Sequence, residues 1–330
     1  MIDHIGQLKA LQDFKGVAGF EAGIFIKVDC GYGRAGLQPH SYALHRLLRE
    51  ILSGKGSERY GFLHGFYSHA GHSYGVDSPA AAMDHLSEEL DGLMKAALLA
   101  EAITTDPDLP TASKPKLVVS VGATPSATSV QNLIHDGLAS EGVKAASIRL
   151  RGSINQANAS HHVELHAGVY PCLDMQQLAT HASPSSDDLS KRISFTDLAL
   201  TILVEVASLY DDRKPPEALI AAGSLALGRE PCKSYKGWGV VTNWGMTSTA
   251  NKETGCSDWE VARVSQEHGV LQKVSTSVSK QLEIGQKVRI WPNHACIAGA
   301  GFGYYLVVDS DLPADRTDEI VDIWVRCQGW

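Results

Sequence analysis

The run WPNHAC places His294 and Cys296 two residues apart, directly after the strand-like KVRI. Imidazole nitrogen and thiolate sulfur are donors that zinc favours, and a catalytic zinc keeps a position open for substrate. On an extended backbone residues i and i+2 point to one side, so the spacing predicts a pair that converges on one ion. Water, substrate or a distant side chain would complete the shell. A buried cysteine beside a capping histidine leaves the same triplet, so both readings stand on these residues alone. A second cluster, GFYSHAGHSYG, gathers Tyr67, His69, His72 and Tyr74 within residues 65–75. That density of titratable groups suits a site that moves protons. Each histidine taken singly reads more readily as a hydrogen-bonded structural residue.

Three glycine-bearing turns add binding chemistry. In VDCGYGRAG, residues 28–36, the glycines let backbone approach a bound group while Arg34 offers a permanent charge. A tight turn with a surface arginine is the plain alternative. In SVGATPSATS, residues 120–129, Gly122 and the hydroxyls of Ser120 and Thr124 stand where a helix begins, a natural phosphate cradle. A Ser/Thr helix cap would look the same. ELHAGVYP repeats the theme with Gly168, Val169 and Tyr170. The G-x-G-x-x-G spacing of dinucleotide-binding folds is absent.

These clusters need elements to hold them. Residues 23–29, 61–69 and 116–122 read as strands, each followed by a helical pattern (40–52, then a helix opened by Ser78 and Pro79, then 126–138). Residues 146–151 and 162–166 are two further strand candidates. Alternation at this spacing predicts parallel βαβ units, with the polar clusters gathered after each strand on the face where a (β/α) barrel carries its site. A complete barrel takes roughly 250 residues. Here about five units precede a Ser/Pro/Asp-rich break at residues 181–191, so the barrel is incomplete or the sheet is open. Beyond it, strands at 198–206, 261–264, 287–290 and 304–308, spaced by Gly/Asn/Ser clusters such as 247–255, predict a mainly β domain, as a sandwich or small barrel. The expected division is an α/β domain, a partial (β/α) TIM-like barrel, over 1–185 and a C-terminal β domain over 186–330.

Composition narrows the function. A formal net charge of −8, without a basic stripe, argues against nucleic acid and for a small-molecule substrate. The most apolar stretch, FTDLALTILVEVASL, contains Asp197 and Glu205 and is too short for a membrane span. Six cysteines without framework spacing read as thiols or metal ligands, and with no signal pattern the expected location is cytoplasmic.

Taken in order, FIKVDCGYGRAGL, SHAGHSY, SVGATPSATS, VELHAGVYPCLD, ALIAAGSLAL, SQEHGVL and VRIWPNHAC resemble the eukaryotic-type D-serine dehydratases and their relatives the D-threonine aldolases, alanine-racemase-like enzymes of fold type III. The resemblance runs over nearly the whole chain. It implies pyridoxal 5′-phosphate in the α/β domain, zinc in the β domain, a homodimer with sites near the subunit boundary, and a small D-amino acid as substrate. By motif position, Arg34 would contact the cofactor and Lys27 would fall where racemases carry a modified lysine that buttresses that arginine. Gly122, Thr124, Gly168 and Val169 would receive the phosphate, Tyr74 and Tyr170 would line the ring, and His294 and Cys296 would be the zinc pair. Aldolases of the family tend to carry aspartate at the second position, so Cys296 favours a dehydratase, which turns D-serine into pyruvate and ammonia.

The resemblance also implies a further N-terminal stretch, of about a hundred residues, with the first barrel strands and the Schiff-base lysine. No lysine in residues 1–330 sits in that context. The expectation is an N-terminally truncated enzyme, or a short product that keeps only metal or partner binding.

Overall fold

The computed structural model describes residues 1–54, 59–105, 116–134, 140–184, 193–244, 255–274, 281–313 and 315–327. Two compact units divide the chain: Met1–Tyr170 with Thr180–Arg192, and Pro171–Ala179 with Ile193–Trp330. The expected boundary at 185/186 lies outside the described residues, and residues 171–179 group with the second unit.

In the first unit β1 (Gly23–Lys27), β2 (Phe62–Tyr67), β3 (Val118–Val121) and β4 (His162–Leu165) form a parallel sheet in sequence order. Helices α1 (Leu8–Ala18), α2 (Tyr42–Ser53), α3 (Pro79–Thr104), α4 (Thr124–Ser129) and α5 (Glu141–Ser160) accompany it. Leu44, Leu47, Leu48 and Ile51 repeat at three- and four-residue intervals, so α2 buries one stripe, and the Ser41 hydroxyl caps it by accepting the Leu44 amide at 3.2 Å. Ser78 caps α3 in the same way, with Pro79 at its first position. These stripes share one core with Ile24, Ile26, Phe66, Val119 and Val121 from the strands.

Residues 146–151, expected as a strand, lie inside α5. Ser140 caps that helix through the Val143 amide, and Val143, Ala146, Ser147, Leu150 and Ala157 are its buried residues, a helical rather than two-residue repeat. The helix expected over 126–138 is instead α4 followed by a 3-10 turn, Val130–Leu133, and residues 135–139 lie outside the described set.

Gly65 shows how closely β2 and β3 meet: a Cβ there would stand 2.0 Å from the Val118 carbonyl oxygen. Backbone cannot yield as a side chain does. Gly65→Ala is expected to cost about 3 kcal/mol or more of stability, measured by denaturant unfolding against the parent.

In the second unit β5 (Ile202–Tyr210), β6 (Glu217–Ile220), β7 (Gly239–Thr242), β8 (Cys256–Val264), β9 (Gly269–Lys273) and β10 (Lys287–Pro292) close into a barrel in the order β10-β5-β6-β9-β8-β7. Of the two β architectures expected, the barrel is the one formed. Ile202, Val204 and Val206 alternate inward along β5 and meet Ile220, Val241, Val261, Leu271, Val288 and Ile290. The strand expected at 198–206 begins four residues later, and that at 261–264 is the end of a longer one. Most of the 247–255 cluster lies outside the described residues. A separate ribbon pairs β11 (Tyr304–Val308) with β12 (Ile320–Val325). Among the described residues no helix is long and apolar enough to cross a membrane.

Candidate active site

In the first unit the chemistry gathers past the C-terminal ends of the parallel strands. The turn after β1 is held by Asp29, whose Oδ1 accepts the Gly31 and Gly33 amides, both at 3.0 Å. The exposed Arg34 guanidinium lies 5.1 Å from the centre of the Tyr32 ring. Lys27 sets its Nζ 4.4 Å from the centre of the Tyr67 ring, and Tyr67 stacks on His166 at 4.2 Å with 9° between planes. His166 Nδ1 is 3.0 Å from the Ser120 hydroxyl, which donates to Glu164 Oε1 at 2.6 Å.

His69 Nδ1 lies 3.0 Å from the Gly122 carbonyl oxygen. A carbonyl only accepts, so Nδ1 carries the proton and Nε2 the lone pair. Gly122 needs to be glycine: its φ is +136° and a Cβ would meet the His166 carbonyl oxygen at 2.3 Å. Thr124, buried, accepts the Val169 amide at 3.1 Å and keeps its hydroxyl proton to donate elsewhere. The structure thus brings Gly122, Thr124 and Val169, with Gly168 beside it, into one place. Tyr170 is half exposed and its hydroxyl accepts from Gln131 at 2.9 Å; Tyr74 lies in the 3-10 turn Gly71–Gly75. His72 turns to another partner, His85, at 3.1 Å.

Burial, then the charges of Arg34 and Lys27, pulls the His69 imidazole down to about 4. Burial, then His69 and Lys27, does the same to His166, also to about 4. Both rings are therefore neutral near pH 7, their protonated forms disfavoured by burial and by the neighbouring charges. Burial also lowers Lys27, helped by the Arg34 charge, and raises the Tyr67 phenol. Glu89 on α3 was not anticipated. It is 1% exposed, and burial pushes its carboxyl up to about 7 against the Lys27 charge. Ser68 and the backbone at Gly122 and Ala70 face it, yet neither oxygen has a hydrogen bond of good geometry.

In the second unit His294 follows β10 as the N-cap of α7 (Ala295–Ala300), with φ −132° and ψ 108°. Cys296 stands on the first turn of that helix, not on extended chain. The alternation argument for convergence therefore fails, and the strand-to-helix turn sets the spacing instead. Both neighbours of His294 are tied down. Asn293 donates to the Glu230 and Gly237 carbonyls, each at 2.9 Å, and accepts from the Tyr235 hydroxyl. Ala295 donates its amide to Asp174 Oδ2 at 2.9 Å, while Asp174 Oδ1 takes the Gln177 amide at 2.9 Å. Gln176, in the short helix α6 (Met175–Thr180), places Oε1 2.6 Å from His294 Nδ1. Burial raises the Cys296 thiol, and the Asp174 and Cys172 charges add to it. Asp174, Gln176 and Asn293 were not singled out from sequence, although Asp174 ends the VELHAGVYPCLD motif.

An imidazole nitrogen and a thiol sulfur are donors of the kind zinc takes, and among the described residues no third His, Cys, Asp or Glu joins them in a cluster. Nδ1 of His294 faces an acceptor, which puts the imidazole lone pair on Nε2, and Cys296 stands two positions on in sequence. Residues 199–308 match the family model D-ser_dehydrat, "Putative serine dehydratase domain". The chain is 36% identical to the D-serine dehydratase of Schizosaccharomyces pombe, over all of this chain and 67% of that protein. Among solved structures it resembles an Ala racemase-like protein from Idiomarina loihiensis (TM-score 0.65, 23% identity, 100% of this chain and 71% of that one). It resembles equally the D-threo-3-hydroxyaspartate dehydratase of Delftia sp. HT23 (TM-score 0.65, 23% identity, 100% and 72%), of which a cysteine-to-alanine variant is described as metal-free. At these identities the structures speak for the fold: an alanine-racemase-like pairing of a parallel-strand α/β domain with a C-terminal β domain.

Proposed function

The chain belongs to the D-serine dehydratase family, a family of lyases, and on that premise we propose that it is a pyridoxal-phosphate- and zinc-dependent D-serine dehydratase releasing pyruvate and ammonia. The observation that carries the reading is the preorganised His294–x–Cys296 turn, with a nitrogen and a sulfur donor where the D-threonine aldolases tend to carry oxygen at the second place.

The four-stranded sheet is read as an arc of a (β/α) barrel, with the cofactor past its strand ends. There Arg34 would supply positive charge, Gly122, Thr124 and Gly168 would take the phosphate, Val169 would hold Thr124 in place through its amide, and Tyr74 and Tyr170 would border the ring. Thr124 contributes its hydroxyl proton, since the Val169 amide is already spent on it. The cofactor, when bound, supplies an electron sink for the carbon that loses its proton. His69 presents a neutral Nε2 for proton transfer, and the His166–Ser120–Glu164 chain fixes the ring stacked on Tyr67. No catalytic lysine is assigned.

Hydroxide is a poor leaving group, and zinc held by His294 and Cys296 would stabilise the charge that develops on the departing oxygen. Loss of water from D-serine leaves an enamine, whose hydrolysis gives pyruvate and ammonia. The assembly is proposed to be a homodimer in the cytoplasm, acting on a small D-amino acid without nucleic acid or membrane.

Product analysis tests the reading. The protein supplied with pyridoxal phosphate and zinc is expected to give pyruvate from D-serine and 2-oxobutanoate from D-threonine. Glycine and acetaldehyde from D-threonine would make it an aldolase instead, and zinc binding without any turnover would leave only a metal-binding relative.

A further inference from the structure

The second unit contains a side chain that touches neither motif residue in sequence yet governs one of them in space. We propose that Gln176 is the positioning residue of the metal centre: it fixes the tautomer and the aim of His294, so that Nε2 is the atom offered to zinc. The proposal rests on the zinc reading of His294 and Cys296.

Gln176 can face His294 in only one sense. Its Nε2 donates to the Pro231 carbonyl at 2.8 Å, and a carbonyl accepts only, so the amide cannot be turned around without setting two acceptors together. Oε1 is therefore the atom 2.6 Å from His294 Nδ1. An amide oxygen likewise only accepts, so Nδ1 carries the proton and the imidazole's basic lone pair lies on Nε2. The main chain keeps this reach constant, because the Gln176 amide donates to the Asn293 carbonyl at 3.1 Å.

The nearest carboxylate does not play this part. Asp174 Oδ2 is 3.7 Å from His294 Nδ1, beyond hydrogen-bonding distance, and is engaged by the Ala295 amide at 2.9 Å. A neutral acceptor has a chemical consequence. Zinc with one thiolate keeps a net positive charge, whereas a carboxylate on the imidazole would feed electron density toward the metal and weaken its pull on a leaving hydroxyl. Glutamine orients the ligand while leaving the metal electrophilic.

The test measures zinc affinity by chelator competition and retained zinc by elemental analysis after dialysis, with thermal melting as the control for folding. Gln176→Leu is expected to weaken zinc binding about 10- to 100-fold. Gln176→Glu keeps an acceptor at the same reach but sets its second oxygen against the Pro231 carbonyl, so it is expected to bind zinc more tightly than Gln176→Leu and more weakly than the parent. Wild-type affinity in Gln176→Leu would overturn the role of Gln176. His294→Ala and Cys296→Ser run in parallel. If they too hold zinc like the wild type, it is the metal site that fails rather than its positioning residue.

Discussion

Replacing His294 by alanine, or Cys296 by serine, is expected to strip zinc from the protein and to reduce D-serine elimination by about a thousandfold. The size follows from what the metal is asked to do: Lewis-acid stabilisation of a departing oxygen is worth several kcal/mol, and each ~1.4 kcal/mol is a factor of ten in rate. On the proposed reading the two protein ligands would make a shell with no redundancy, so losing either would leave the ion on one side chain. The backbone should stay in place, because Asn293 is tied to the Glu230 and Gly237 carbonyls and Ala295 to Asp174. Thermal unfolding of metal-free samples should therefore differ little from the parent, separating a lost ligand from a lost fold. Metal per chain by elemental analysis and kcat on D-serine are the two readings. Stoichiometric zinc in Cys296→Ser would remove Cys296 from the site.

What could be read before the structure was mostly what repeats locally. Apolar spacing located α2, and Ser78–Pro79 marked the start of α3, because caps and stripes act over one or two turns. The same logic misleads at residues 146–151, where Ala146, Ile148 and Leu150 alternate with Ser147, Arg149 and Arg151 as a half-buried strand would. The Ser140 cap and the buried positions reaching back to Val143 make it a helix. His294 and Cys296 were visible as a pair, but the strand-to-helix change between them was not. Gln176 could not have been found from spacing, since it meets His294 from 118 positions away. Glu89 could have been: Leu86 three residues before it and Leu93 four after it stand at helical intervals, which turns an ionisable group toward the apolar side of α3.

That buried carboxyl makes the second large prediction. Folding raises Glu89 from its ordinary 4.5 to about 7, so the folded protein resists ionising a group that the unfolded chain ionises freely. Glu89 therefore withdraws stability as pH climbs from about 4.5 to about 7, by about 3 kcal/mol in full, and the deficit is constant above that. His69 and His166 act in the opposite direction. Their folded values near 4 lie below the ordinary 6.5, so the stability they contribute is complete above about pH 6.5 and is lost as pH falls toward 4. In the overlap one carboxyl offsets much of one histidine, and the wild-type profile is flatter than the histidines alone would make it. Glu89→Gln keeps the shape and removes the charge. It is expected to stabilise the protein more at pH 7.5 than at pH 5, by about 2 kcal/mol, and to steepen the acid side of the profile. Denaturant unfolding at the two pH values measures this. An equal change at both would mean that Glu89 titrates in the folded protein as it does in water, and that its burial carries no electrostatic cost.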